Sequence, residues 1–73
     1  MSPKLPRLTA KQLIKKMQEH GYIPLGSEGS HQHFIHSEKP GKLTIPVHTG
    51  KIIGPGLLKA ILRQARLKPE DIL

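Results

Sequence analysis

Prolines at 24 and 46 interrupt two of three β-prone runs and spare the run between them. Proline has no N–H to give to a ladder, so it is tolerated on an edge strand and not in a central one. The three runs are Tyr22–Leu25, His31–Ser37 and Leu43–His48. This placement predicts a three-stranded meander with the 31–37 strand in the middle. The connections agree. Gly26 to Ser30 reads as a Gly/Ser-rich turn, and Lys39-Pro40-Gly41-Lys42 puts Pro second and Gly third, the type II pattern.

Helical signals flank the strands. Thr9-Ala10-Lys11-Gln12 is a capping box, and Ala10, Leu13, Ile14 and Met17 form one apolar stripe. Gly21 stands where a helix stops in a left-handed cap, so the first helix is expected over 10–20. Gly54-Pro55 opens a second, over about 55–66, with Leu58, Ile61, Leu62 and Ala65 on its apolar face. Pro69-Glu70-Asp71 starts one last short turn. The order is α-β-β-β-α, a two-layer α+β domain with both helices on one face of an antiparallel sheet. The other face stays open or is covered by a partner.

Strand parity then sorts the side chains. Phe34 is the expected core residue of the middle strand, with Gln32 and His36 on its side. His31 and His33 fall on the open face. In the third strand Leu43, Ile45 and Val47 face the helices, and Thr44 and His48 point outward beside His31.

With 73 residues, one Phe, one Tyr and no Trp, the core must be thin and aliphatic. The chain has no cysteine, hence no disulfide and no thiolate metal site. Residues 1–8 hold two prolines and read as a flexible, extended arm ahead of a single domain at 9–73. There is no apolar stretch long enough to span a bilayer and no secretory apolar region, so a cytoplasmic location is expected. Twelve Lys and Arg against five acids leave a net charge of +7 with histidine neutral. Such a field suits nucleic acid, an anionic membrane or an acidic protein.

Four of the five histidines lie between positions 31 and 48. One reading is a metal site of His31, His33 and His48, which has the right ligand type but no carboxylate placed beside it. A second is RNA hydrolysis. RNA carries its own nucleophile, the 2′-OH, so an enzyme needs a base, an acid and donors for the phosphate charge. Histidine serves both proton transfers near neutral pH. Gly29 and Ser30, just before His31, offer backbone N–H groups and a hydroxyl to a phosphate. His33, His48 and Lys51 are further candidates for holding RNA. A third reading is a non-enzymatic RNA-binding module, since α-β-β-β-α is the order of double-stranded RNA-binding domains. The second helix opens with one lysine, Lys59, where such domains carry a basic run. Lys59, Arg63 and Arg66 are either phosphate contacts or a solvated face.

The segment Gly29-Ser30-His31-Gln32-His33-Phe34 resembles the glycine-serine-histidine-x-x-aromatic signature of HicA toxins. Pro46-Val47-His48 with Gly50-Lys51 is similar to that family's proline-x-histidine-x-glycine-lysine stretch. Pro55-Gly56 with Leu58–Ala65, and the closing Pro69–Leu73, resemble its last helix and acidic tail. The resemblance covers about residues 9–73. It implies a double-stranded-RNA-binding-domain-like fold and a toxin that cleaves messenger RNA with no metal or other cofactor. It also implies a HicB antitoxin partner, and it places the catalytic role on His31. An acidic antitoxin is then expected to cover the open sheet face around His31 and His48. Two positions depart from the family pattern: Glu28 replaces a common basic residue, and Arg66 stands where glycine is common after the second helix.

Overall fold

A computed structural model describes residues 5–73, so the first half of the expected arm lies outside the described residues. The first helix, α1, spans Ala10–Glu19 and starts on the expected capping box. The Thr9 hydroxyl accepts from the Gln12 N–H at 3.3 Å, and the Gln12 side-chain oxygen accepts from the Thr9 N–H at 2.9 Å. At its other end Gly21 adopts φ +94°. There the Gly21 N–H reaches the Gln18 carbonyl and the Tyr22 N–H reaches the Met17 carbonyl, the paired bonds of a Schellman stop. Ala10, Leu13 and Met17 are buried.

Three strands follow: β1 (Ile23–Glu28), β2 (His31–Ile35) and β3 (Leu43–Pro46), all antiparallel with β2 central. Both prolines, Pro24 in β1 and Pro46 in β3, sit on edge strands as expected. The strand lengths differ from expectation. The turn anticipated over 26–30 contracts to Gly29-Ser30, because Gly26, Ser27 and Glu28 pair with His33, Gln32 and His31. Gly29 takes φ +58°, the glycine-first pattern of a two-residue type II′ hairpin. Ladder pairing outweighs the loop propensity of Gly-Ser, and the irregularity moves to a bulge at Leu25, next to Pro24. The second strand ends at Ile35 rather than Ser37, since the chain turns back there and the Glu38 N–H bonds to the His36 ring at 3.0 Å. The 39–42 turn has Gly41 at φ +87°, as a type II turn requires.

The second helix, α2 (Pro55–Ala65), packs Leu58, Ile61, Leu62 and Ala65 into the core. Its end reproduces the Schellman stop with Arg66 in glycine's place, at φ 57° and ψ 40°. The Arg66 N–H bonds to Arg63 and the Leu67 N–H to Leu62. Both helices and β3 enclose one apolar cluster containing Phe34, Leu43 and Ile45. No polar or charged residue is buried among the described residues. Leu5 and Leu8 pack against this cluster, and the Ile53 N–H bonds to the Leu8 carbonyl at 2.8 Å. The second half of the expected arm thus lies along the 52–53 segment. A final 3₁₀ turn, Pro69–Ile72, buries Ile72.

Candidate functional site

The two-residue hairpin fixes where His31 stands. It is the first residue of β2, across from Glu28 on one side and Pro46 on the other. The hairpin is tied to β3 by the Val47 N–H, which bonds to the Ser30 carbonyl at 2.7 Å. His31 is exposed, and none of the side-chain hydrogen bonds among the described residues involves it. Its parity is opposite to that of Phe34, which is 1% exposed in the core, so the imidazole stands on the open face.

His33 shares that face in a different state. Its Nδ1 lies 2.9 Å from the Thr44 hydroxyl, its partner across β3, and its Nε2 lies 3.4 Å from the Glu28 carboxylate. Its side chain is 12% exposed, and Nε2 has no hydrogen-bond partner. His33 therefore braces the hairpin between β1 and β3, with Glu28 on its diagonal. That diagonal contact depends on register and becomes readable once the turn is known to have two residues.

His48 is exposed and lies just past the end of β3. The alternation carries on through Val47, which packs against the core and bonds to the Ser30 carbonyl, and beyond it the chain curls into a turn. The Lys51 N–H bonds to the His48 carbonyl at 3.1 Å, with Gly50 at φ +77°. His48 then lines a groove on the helix side with Ala10, Lys11, Ile14 and Gln32. His48 and Lys51 also share a smaller hollow with Pro46 and Leu57. This hollow lies at the end of the sheet, and Pro46, which also lines it, is the cross-strand partner of His31. The proposed metal triad of His31, His33 and His48 is not assembled, and no group of three potential metal ligands occurs among the described residues.

Nothing in the sequence marks Gln32, Lys11 and Thr49 as lining one groove. Their only signal was the parity of Gln32, a polar side chain placed on the helix side of a central strand. No helix among the described residues is long and apolar enough to cross a membrane.

A family model described as the HicA toxin of bacterial toxin–antitoxin systems matches residues 10–67. No curated protein matches the chain. The matched span runs from the first residue of α1 through the glycine-serine-histidine hairpin to the left-handed stop of α2, and the chain belongs to the HicA toxin family.

Proposed function

We propose that this toxin is a metal-independent endoribonuclease that cleaves messenger RNA, with His31 as its general acid or base. The observation that supports this most is the unengaged, exposed imidazole of His31 directly after the tight Gly29-Ser30 turn. In the reaction a base takes the proton of the 2′-OH, and the 2′-oxygen attacks the adjacent phosphorus. The P–O5′ bond breaks, the 5′-oxygen takes a proton from an acid, and a 2′,3′-cyclic phosphate remains. His31 performs one of these transfers. Gly29 and Ser30 hold the phosphate through backbone N–H and hydroxyl donors, where charge builds in the transition state. Lys51 contributes positive charge, and His48 and Lys51 contribute hydrogen bonds, to the strand beyond it. His33, engaged by Thr44 and Glu28, keeps the hairpin in register under His31.

The partner is a HicB-like antitoxin that lies over the open face. Ile23 and Ile35 stand across from each other on that face, 55% and 40% exposed, and give an apolar contact beside the polar site. An acidic partner associates fast with a +7 chain. A cover of this kind is expected to reach both His31 and the exposed His48.

The test is expression of His31→Ala beside the wild type. Growth arrest and RNA cleavage in a chelator are expected for the wild type and lost in the variant, with the same melting temperature. A folded His31→Ala protein that still cleaves overturns the assignment. One that still binds RNA, beside a wild type that binds without cleaving, supports the alternative of a non-enzymatic RNA-binding module.

A further inference from the structure

We infer that the groove between α1 and the 47–50 turn is a subsite for one nucleobase of the RNA strand, next to the phosphate at His31. This rests on the ribonuclease reading of His31, and it is carried by the shape and chemistry of the groove itself.

The groove encloses about 430 Å³, within the range of small-ligand sites. Its floor is apolar, from Ala10, Ile14 and Val47, and its rim carries Lys11, Gln32, His48 and Thr49. That division fits a flat heteroaromatic ring with a polar edge and a charged backbone. The Gln32 carboxamide is half-buried and bonded to no other described side chain or backbone group. An amide presents a donor beside an acceptor, the pairing that reads a base edge.

Stacking narrows the choice further. Single-strand binders place bases on aromatic side chains. Here Phe34 and Tyr22 are 1% and 5% exposed and unavailable. The exposed imidazole of His48 is the π-face that the groove offers. Lys11, in the first turn of α1, stands at the rim for a flanking phosphate.

Position links the groove to the chemistry. Gln32 follows His31 directly, and the two side chains leave β2 on opposite faces. A strand laid over the sheet end at Ser30 and Val47 therefore presents a phosphate to His31 and the neighbouring base to Gln32.

The experiment is an NMR titration of ¹⁵N-labelled His31→Ala protein with AMP, GMP, CMP and UMP, using ribose 5-phosphate as the base-free control. The Gln32 side-chain amide and the backbone amides of Ala10, Lys11 and Gly50 are expected to shift. At least one nucleotide is expected to bind about fivefold or more tighter than ribose 5-phosphate, and Gln32→Leu to remove that advantage. Equal binding of ribose 5-phosphate and all four nucleotides overturns the base subsite, as does an unmoved groove. The second arm is cleavage of a randomised oligoribonucleotide by the Gln32→Leu protein with His31 intact. Base preference beside the cut is expected to relax about fivefold at one position, and an unchanged preference overturns the inference. If the protein cleaves no RNA yet nucleotides still move the groove amides, the ribonuclease reading fails and the subsite stands.

Discussion

The two ends of the sheet use histidine in opposite ways. At the end near the helix stops, every imidazole is occupied. The Glu38 N–H donates to His36 Nδ1, which leaves the proton on Nε2, and Nε2 donates to the His20 carbonyl at 2.9 Å. His36 also meets Tyr22 edge-on, with centroids 5.1 Å apart. His20 Nε2 donates to the Asp71 carbonyl at 2.8 Å, tying the final turn to α1. Lys39 donates to the Ala65 carbonyl at 2.9 Å, beside the Tyr22 hydroxyl at 3.4 Å. These groups satisfy carbonyls that helix ends leave over. At the hairpin end, His33 is held by the Thr44 side chain and not by the backbone, while His31 and His48 are exposed and make no such bond. Density of a residue type says little about function. What separates the two ends is whether the ring nitrogens are already engaged by the backbone.

Substitutions at the two ends should therefore have opposite signatures. The largest effect is expected from His31→Ala: a loss of about 100-fold or more in cleavage rate, the usual worth of a general acid or base, with the melting temperature unchanged. His36→Ala should do the reverse. It leaves a helix-end carbonyl without its donor and removes an aromatic contact, at about 2 kcal/mol. In a domain this small that lowers the melting temperature by about 10 °C, while cleavage per folded molecule stays at the wild-type level. If His36→Ala loses activity without losing stability, the division between the ends is wrong.

The next effect sharpens the structural end. Arg66 holds a left-handed conformation that favours glycine. Arg66→Gly is expected to gain about 1 kcal/mol, read as a rise of about 5 °C in melting temperature. The gain has a pH limit. Burial pushes the Tyr22 hydroxyl above its ordinary 10.0, and the Arg66 charge opposes this. A group protonated more firmly when folded stabilises below its unfolded pKa, and that contribution is lost as pH rises through the folded value. Removing Arg66 raises Tyr22 further, so the gain holds below pH 10 and shrinks above it. A melting temperature that falls at neutral pH would show that Arg66 contributes more through its side chain than its backbone costs.

The smallest effect concerns the hairpin end. Glu28 sits across from His31 and puts a negative charge where the proposed reaction brings a phosphate. Glu28→Lys is expected to tighten RNA binding a few-fold and steepen the log–log salt slope by about 0.7, one more phosphate neutralised. Weaker binding would mean that the Glu28–His33 contact matters more to the hairpin than the charge does to RNA.

Much of this architecture is legible in the sequence because it rests on local rules. Thr9 and Gln12 cap α1, Gly21 stops it, and Pro24 and Pro46 assign the edges without reference to anything distant. The hairpin was harder to place. Gly26 and Ser27 carry loop propensity, and only pairing with His33 and Gln32 makes them strand. His48 is less legible for the same kind of reason: alternation predicts faces only while a strand lasts, and β3 ends two residues earlier. His31 could be singled out because the residues before it are sequence neighbours. The brace of Glu28, His33 and Thr44 spans three strands, and the groove joins α1, β2 and the 47–50 turn. Contacts of that range depend on register and packing, which no local pattern encodes.

The most direct test of the account is a single-turnover assay in a chelator on an oligoribonucleotide with one 2′-deoxy sugar at the preferred cut. The wild type is expected to cut the all-ribose strand, leaving a 2′,3′-cyclic phosphate, with the 2′-deoxy position intact. His31→Ala is expected to cut neither strand. Equal cutting of both strands by the wild type would mean that water or a metal-bound hydroxide supplies the nucleophile, and the role given to His31 would be wrong.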